Sequence, residues 1–225
     1  MEFELMGKAD ITYCPSQIEV DVIKKEDKSI NVKLIPAFLY ESKPGEGRKF
    51  GNTKDIMFIG GFVHKPNVDG VLWYANEIYP VLKKERPDIK TYIIGSNAPK
   101  EILTLNSENV IITGYVTGKQ LIEYYRDCRL SIVPLRYGAG IKGKVIEAMY
   151  YQIPVVTTSI GAEGIKGTEG CLFIKDEPFA FAEEIIRVYD DLDLLSEVSL
   201  KEIDIVNESF SVSAAKKIIL DDLAS

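Results

Sequence analysis

The sequence predicts an α/β fold built on a doubly wound parallel sheet. Short, mostly apolar runs rich in β-branched residues alternate along the chain with longer stretches of helical periodicity. Strands of a parallel sheet are buried on both faces, so we expect them to be continuously apolar. Regular alternation of strands and helices favours right-handed crossovers, with helices covering both faces of one sheet.

The predicted elements follow from these two patterns. The strands cover residues 11–14, 32–36, 55–59, 90–94, 110–113, 130–134, 154–158 and 171–174. The helices cover residues 16–26, 67–84, 119–127, 142–151, 178–195 and 211–223. The helix over 67–84 shows the clearest pattern, because Val71, Ile78 and Leu82 fall on one stripe and Pro87 follows its end.

Composition divides the chain into four segments. Residues 41–54 hold one proline and three glycines among charged side chains, which is typical of a linker or exposed loop. Residues 1–40 contain too few elements to bury a core of their own, so we interpret them as the remnant of a preceding domain. Residues 55–207 contain a complete strand–helix series and are interpreted as one domain, with residues 208–225 as a terminal helix.

Residue counts argue against several classes of protein. A net charge of −7 disfavours nucleic-acid binding, which usually needs a basic surface. Cys14, Cys128 and Cys171 are scattered without CxxC spacing, which is typical of buried thiols in a reducing compartment. His64 is the only histidine, which disfavours a His-based metal cluster. No run approaches the ~20 apolar residues of a membrane span, so we expect a cytoplasmic protein that meets a membrane at most peripherally.

Glycines follow most of the predicted strands at one edge of the sheet. Those that come directly after a strand are Gly60 with Gly61, Gly95, and Gly114, which precedes Tyr115 and Val116. In an open α/β sheet, ligands bind outside the carboxyl ends of the strands. One glycine there usually indicates a tight turn. A series of them favours a rim that a ligand can approach closely.

The segment RYGAGIKGKVIEAM is the most informative of these loops. Gly138, Gly140 and Gly143 free the backbone to turn N–H groups toward a ligand, and the following helix contributes the positive end of its dipole. Lys142 and Lys144 add positive charge that a diphosphate would balance. The combination predicts an anion site at the start of a helix.

Glu147 lies one helical turn after Lys144 by its i,i+3 spacing. A carboxylate at that place can accept two hydrogen bonds from a ribose diol. The alternative is a solvated Lys–Glu pair at the start of a surface helix. The apolar neighbours Val145 and Ile146 favour a buried helix, with Glu147 facing a cleft.

The letters GAGIKG also match the dinucleotide fingerprint G-x-G-x-x-G, with Glu163 20 residues past Gly143. A nicotinamide or flavin oxidoreductase is therefore an alternative. Three residues separate the preceding strand from the first glycine, whereas the fingerprint turns at once. The preceding strand is also the fourth of its predicted domain, and Glu163 falls in a glycine-flanked turn. A lone match of this pattern is weak support.

The motifs GGF, HKPNVD, GYV, VPLRYGAGIKGKVIEAM and PVVTTSIGAEGI occur in this order in the second and third quarters of the chain. Together they resemble the C-terminal half of retaining glycosyltransferases of the GT-B fold, in the glycosyl transferases group 1 (family 4) class. The resemblance implies a Rossmann-like domain that holds a nucleotide-sugar donor. Residues 1–40 would then be the end of an acceptor-binding N-terminal domain.

The resemblance also implies roles for individual residues. The implied donor-binding positions are Gly60, Gly61, His64, Lys65, Gly95, Tyr115, Val116, Arg136, Gly138, Ala139, Gly140, Lys142, Lys144 and Glu147. Lys144 and Glu147 are the implied catalytic residues: Lys144 neutralises the leaving diphosphate and Glu147 holds the ribose. The segment from Tyr115 to Val116 would face the base. The resemblance implies neither a cofactor nor a metal.

Two positions depart from the family pattern. Many relatives carry a second glutamate eight residues before the ribose-binding one, where this chain has Ala139. This leaves the contacts to the sugar open. The family's phosphate-binding arginine after the first strand is not matched by Phe62, and His64 or Lys65 is the expected substitute.

We therefore expect the donor-binding half of a retaining glycosyltransferase, with little or no transfer by this chain alone. A non-catalytic, glycosyltransferase-like partner subunit and the dinucleotide oxidoreductase are the alternatives. The apolar stripe of the last helix is expected to fold back or to mediate contact with a second copy or a partner chain. The base, the sugar and the acceptor stay open.

Overall fold

A computed structural model describes residues 2–37 and 40–224 and has the predicted α/β fold class, which is thereby confirmed. Two compact units are present. The larger unit is Gly45–Asp204, and the smaller one combines Met1–Pro44 with Ile205–Ser225.

Each predicted strand is present, with small changes at its ends. The strands are β1 (Thr12–Cys14), β2 (Val32–Leu34), β3 (Lys54–Ile59), β4 (Thr91–Ile94), β5 (Val110–Gly114), β6 (Cys128–Val133), β7 (Val155–Thr157) and β8 (Phe173–Ile174). The last six form the sheet of the larger unit in the order β5-β4-β3-β6-β7-β8, and all neighbours are parallel. The chain thus adds β4 and β5 on one side of β3, and then β7 and β8 on the far side of β6.

Helices connect these strands. They are α1 (Glu2–Met6), α2 (Gln17–Glu26), α3 (Lys65–Trp73), α4 (Tyr79–Glu85), α5 (Lys100–Leu103), α6 (Gly118–Asp127), α7 (Gly143–Tyr150), α8 (Ser159–Ala162), α9 (Pro178–Tyr189), α10 (Leu192–Ser209) and α11 (Val212–Leu223). The start of α6 shows how the sequence fixes a boundary: the Thr117 and Gln120 side chains form a reciprocal capping box.

The predicted helix 67–84 is one continuous helical stretch with a wider turn inside it. A π-helical segment, Tyr74–Ile78, joins α3 to α4. Pro80 lies two residues after its end and cannot donate a backbone hydrogen bond, and its ring would clash in an unbroken α-helix. The wider turn relieves this conflict while Ile78 and Leu82 stay fully buried.

The prediction of one helix over 178–195 is wrong. The chain instead forms α9 and then α10, which is much longer than the pattern indicated. The break falls at Asp190 and Asp191, and the Asp191 carboxylate accepts a hydrogen bond from the Leu194 N–H at 3.0 Å. An aspartate in that position caps a new helix. The single-turn helices α5 and α8 were also missed, because they are too short to show periodicity.

The core of the larger unit lies between the sheet and its helices. Ile56, Phe58 and Leu130 on the central strands are fully buried. On one side, Trp73 of α3 meets Phe181 of α9 edge-on, with ring centroids 6.0 Å apart. On this side of the sheet, a helix from the beginning of the unit's sequence therefore packs against a helix from near its end.

The predicted linker 41–54 is packed in its second half rather than exposed throughout. Phe50 is buried, and the Arg48 guanidinium lies 5.0 Å from its ring centroid. The same guanidinium donates hydrogen bonds to backbone carbonyls of Arg126 at 2.6 Å, Cys128 at 2.9 Å and Tyr151 at 3.3 Å. Arg48 thereby ties this segment to the rest of the larger unit.

The smaller unit contains a two-stranded parallel sheet of β1 and β2. A cluster of buried residues covers one face: Cys14, Val20, Ile23, Ile30 and Val32. On α11, Asp222 accepts a hydrogen bond from the Tyr13 hydroxyl at 2.7 Å and pairs with Lys33. The predicted stripe of this helix is covered unevenly, since Ala215 is buried and Leu223 is 78% exposed.

Candidate functional site

The strand order places a topological switch point between β3 and β6. These strands pair directly, with Ile56 opposite Leu130 and Met57 opposite Ser131. The chain leaves β3 toward one edge of the sheet and leaves β6 toward the other. Connections that diverge in this way open a crevice at the carboxyl ends of the two strands, where ligands bind in such sheets. The turn after β3 and the loop after β6 form its walls.

The turn after β3 is held against the end of β4. The Gly60 N–H donates to the Ile94 carbonyl at 2.9 Å, and the Phe62 N–H donates to the Ser96 carbonyl at 3.0 Å. A Cβ atom at Gly95 would lie 2.0 Å from the Gly60 carbonyl oxygen. Only glycine permits this approach at position 95. Two predicted site residues, Gly60 and Gly95, are therefore neighbours.

Glycine at position 60 also leaves room for a lysine side chain. A Cβ atom there would lie 2.7 Å from Lys144 Nζ and 2.6 Å from Asn67 Nδ2. Lys144 reaches this turn from α7, which follows β6. The structure thus brings Gly60, Gly61 and Lys144 together across the crevice, although they lie far apart in the sequence.

The Lys144 ammonium is held in a partly desolvated position. Its Nζ donates to Asn67 Oδ1 at 2.5 Å and lies 4.5 Å from the centroid of the Phe58 ring. Burial, together with the smaller effect of the nearby Lys142 charge, lowers the pKa of Lys144 to about 7. Such an ammonium gains more from an added anion than a solvated one does.

Asn67 was not singled out as a site residue from the sequence. It is buried at the start of α3, and its Nδ2 donates to the Gly61 carbonyl at 2.7 Å. The available signal was its place in the HKPNVD motif. That motif gave no partner, because Lys144 lies 77 residues away along the chain.

The loop after β6 uses glycines in backbone conformations that other residues rarely adopt. Gly138 has φ of 116° and Gly140 has φ of 81°. Arg136, at the start of this loop, is engaged by a carboxylate of α3: its guanidinium donates to both oxygens of Asp69, at 2.9 and 2.5 Å. The predicted contact of Arg136 with a ligand would therefore compete with Asp69.

Lys142 is also paired. Its side chain is 9% exposed and forms an ion pair with Glu163 at 3.0 Å, while it also donates to the Gly140 carbonyl. This pairing removes support from the dinucleotide alternative, which needs Glu163 to be available for a ribose. The fingerprint glycines also follow β6, the fourth strand of the larger unit's sheet in chain order.

The first turn of α7 points at the crevice from behind this loop. Lys142 occupies the N-cap position and provides no side-chain cap, and the Val145 N–H donates to the Lys142 carbonyl at 2.9 Å. The Gly143 and Lys144 N–H groups are thus the ones that remain for a ligand. One turn later, Glu147 is half-buried, and burial raises the pKa of its carboxyl. A hydrogen bond with the Tyr125 hydroxyl lowers the pKa of Glu147 and partly offsets this rise.

The other predicted residues lie at the rim. His64 and Lys65 are exposed where α3 begins, and Ala139 is exposed in the loop after β6. Tyr115 is 76% exposed after β5, beside a half-buried Val116. Since β5 is two strands from β3, this segment stands about 10 Å from the switch point, given the spacing of adjacent strands.

Two further findings concern the described residues, 2–37 and 40–224. Within them, no group of three or more His, Cys, Asp or Glu side chains is arranged to hold a metal ion. In the same ranges, no helix has both the length and the apolar character that a membrane crossing requires.

Comparison with known proteins identifies the family. The sequence model of "Glycosyl transferases group 1" matches residues 53–191, which is more than half of the 225 residues. The chain belongs to this family. An uncharacterized 44.6 kDa protein of the cps region of Klebsiella pneumoniae is 29% identical over 202 residues, covering 86% of this chain and 51% of that protein.

Several solved structures share the fold. TarM of S. aureus, in a mutant form in complex with Fondaparinux, alpha-GlcNAc-glycerol and UDP, superposes with a TM-score of 0.77 at 19% identity, covering 99% of this chain and 45% of TarM. HepE of Anabaena, in complex with UDP and glucose, superposes with a TM-score of 0.68 at 16% identity, covering 96% of this chain and 63% of HepE. These matches support the GT-B fold, and the chain spans about half the length of the Klebsiella relative.

Proposed function

We propose that the larger unit binds a nucleoside diphosphate sugar and forms the donor half of a retaining glycosyltransferase. One observation carries the proposal: the Lys144 ammonium lies at the Gly60–Gly61 turn, at the switch point of the sheet. A diphosphate placed there would meet an ammonium, glycine backbone and the first turn of α7. Family membership and the UDP in the TarM and HepE structures support a donor of this class.

Lys144 would act on the leaving group. In glycosyl transfer, the bond from the anomeric carbon to the diphosphate breaks, and negative charge builds up on the diphosphate oxygen. A cation at a preorganised, partly desolvated position stabilises that charge more than one in water does. The dipole of α7 would add to this effect.

Glu147 and the Tyr115–Val116 segment would hold the nucleoside. The half-buried Glu147 carboxyl on α7 would accept hydrogen bonds from the ribose hydroxyls. The exposed Tyr115 and its neighbour Val116 would border the base. Gly138, Ala139 and Gly140 would face the sugar and phosphates with their backbone.

The paired cations of the loop would act differently from Lys144. Lys142 would support the loop through Glu163, and Arg136 would reach a phosphate only by leaving Asp69. His64 and Lys65 are exposed and would contact the donor from the rim. We propose no metal or other cofactor, since the residues described at the crevice supply positive charge through lysine and backbone.

Transfer by this chain alone is proposed to be weak, and its place of action cytoplasmic. The chain spans about half the length of the Klebsiella relative and of TarM, and we place the acceptor side in the part of such proteins that this chain does not match. A second candidate is a non-catalytic partner subunit. Ala139, which stands where many family members carry a glutamate, favours it.

Calorimetric titration with UDP, GDP, ADP and NAD tests the proposal, and UDP is the first ligand to use. We expect one nucleoside diphosphate to bind, and both Lys144→Ala and Glu147→Ala to weaken it. Lys84→Ala is a matched control, because Lys84 is an exposed lysine on α4 and no part of the crevice.

The outcomes separate the candidates. Binding that Lys144→Ala and Glu147→Ala weaken and Lys84→Ala does not would establish the donor site and the base. If the protein binds none of the three nucleoside diphosphates, the result would favour the partner subunit. Binding of NAD alone would favour the dinucleotide enzyme, and efficient transfer to an added acceptor would contradict the proposed weakness of the isolated chain.

A further inference from the structure

Asn67 lies between the turn after β3 and the first turn of α7 and forms hydrogen bonds to both. Its Oδ1 accepts from Lys144 Nζ at 2.5 Å, and its Nδ2 donates to the Gly61 carbonyl at 2.7 Å. Lys144 belongs to α7 and Gly61 to the turn after β3. One side-chain amide therefore joins the two segments that would surround the diphosphate.

Burial and hydrogen bonds fix the orientation of this amide. Asn67 is 4% exposed, and its backbone N–H donates to the His64 carbonyl at 3.0 Å. An ammonium offers only donors and a carbonyl only an acceptor, so a single orientation of the amide satisfies both. The side chain has one acceptor and one donor group at the places where Lys144 and Gly61 require them.

We propose that Asn67 is a positioning residue of the donor site, which holds the Lys144 ammonium at the turn and turns the Gly61 carbonyl away from the diphosphate. The inference rests on the proposed function for its ligand, but the contacts themselves do not. The Gly61 carbonyl also accepts from the His64 N–H at 3.3 Å, so two donors keep its lone pairs occupied. A carbonyl facing the phosphates would repel them.

The surrounding charges leave Asn67 as the group that orients Lys144. Lys142 repels the ammonium, and its own charge is directed to Glu163. Asp69, on the same helix as Asn67, is engaged by Arg136. Glu147 follows one turn later on α7, from where it would face the ribose. The Phe58 ring lies beneath the ammonium without fixing its direction.

Two substitutions separate positioning from simple packing. Asn67→Ala removes the acceptor for the charged amine, whereas Asn67→Asp keeps the shape and adds a carboxylate. The pH dependence of Lys144 acetylation, followed by mass spectrometry without nucleotide, reports the pKa of this amine. We expect Asn67→Ala to lower it and Asn67→Asp to raise it by about one pH unit or more, because an opposite charge favours the ammonium. Asn52→Ala, at an exposed asparagine before β3, should leave it unchanged.

Affinity for UDP supplies the second readout. We expect both variants to bind more weakly by about tenfold at pH 7, for different reasons. Asn67→Ala loses a hydrogen bond to a charged group. Asn67→Asp loses the donor to the Gly61 carbonyl and places a negative charge beside the diphosphate. From pH 7 to pH 8 the loss should grow for Asn67→Ala and not for Asn67→Asp. A shift of the Lys144 pKa in the same direction in both variants would point to loosened packing and overturn the proposal.

The test remains decisive if one variant fails to fold or if the proposed ligand fails to bind. Melting curves identify a misfolded Asn67→Ala protein, and the near-isosteric Asn67→Asp then decides by its pKa shift alone. If the wild-type protein binds no UDP, the proposed function fails. The acetylation profile still decides whether Asn67 controls Lys144, and an unchanged profile in a folded Asn67→Asp protein would overturn that control.

Discussion

Gly95 packs so closely on Gly60 that an added Cβ atom would lie 2.0 Å from the Gly60 carbonyl oxygen. The contact joins the ends of β3 and β4 at the point where the crevice begins. It involves backbone on both sides, so neither partner can move away by changing a rotamer. The turn that would meet a diphosphate is thus fixed by the absence of a side chain on the neighbouring strand.

Gly95→Ala is expected to destabilise the protein. The added methyl group must push β4 away from the Gly60 turn, and such overpacking costs about 1–3 kcal/mol. Urea denaturation followed by circular dichroism would measure the change in the free energy of unfolding. Gly118→Ala is the control, because a Cβ atom there meets nothing within 4 Å at the start of α6. Equal stability of the two variants would contradict the close approach.

Nucleotide binding is expected to take up protons at pH 8. The pKa of Lys144 is lowered to about 7, so much of this amine is neutral at that pH, whereas a bound diphosphate favours the ammonium. Calorimetric titrations of UDP in two buffers of different ionisation enthalpy would show different heats. Lys144→Arg stays charged at this pH and should remove the difference. Identical heats for the wild-type protein in both buffers would show that Lys144 does not change its charge.

Glu202→Gln is expected to stabilise the protein at alkaline pH. Glu202 is fully buried in α10, and burial holds the pKa of its carboxyl well above the usual range. The folded state therefore binds this proton more tightly than the unfolded chain does. The stability gained is complete below about pH 4, the ordinary glutamate pKa, and is lost as the pH rises through the folded-state value.

Thermal melts between pH 5 and pH 8 would test this dependence. The melting temperature of Glu202→Gln should exceed that of the wild-type protein by more at pH 8 than at pH 5. Glu197→Gln, at an exposed position on the same helix, provides the control. Parallel pH profiles for the wild-type protein and Glu202→Gln would mean that the buried carboxyl is ionised in the folded state.

Arg48→Lys is expected to destabilise the larger unit although it preserves the charge. The guanidinium serves three backbone carbonyls at once and stacks on Phe50, and an ammonium cannot reproduce that planar geometry. Carbonyls left without a donor cost about 1–3 kcal/mol each when buried. Guanidinium chloride unfolding would measure the loss, and the neighbouring exposed Lys49→Ala should change stability little. A loss as small as that of Lys49→Ala would assign Arg48 no structural role.

The sheet and most helices could be predicted because their signals are local. The strand over residues 55–59 reads as a continuous apolar run, and the helix over 67–84 carries its apolar stripe within a few turns. α10 was missed for a physical reason. Its buried stripe includes Ser199 and Glu202, both fully buried, so a polar and an ionisable residue stand where an apolar pattern was sought.

The site could be predicted only in part. The glycines and Lys144 belong to local motifs and could be singled out as candidates, whereas the pairing of the charged groups could not. Asp69 meets Arg136 across 67 residues of sequence and Asn67 meets Lys144 across 77, and both contacts depend on the fold placing α3 beside the loop after β6. A sequence motif does not show which residues far apart along the chain meet in the fold.

The π-helical segment Tyr74–Ile78 sets how far α4 is rotated about the helix axis relative to α3. Each residue of an α-helix turns the side chains that follow it by about 100°. The wider turn takes up one extra residue, so the same sequence wound as a regular α-helix would rotate Ile78 and Leu82 by about 100° relative to Asn67. The wider turn thus offsets the helix by one residue. Its first part can then face the crevice with Asn67, while its second part faces the core with Ile78 and Leu82.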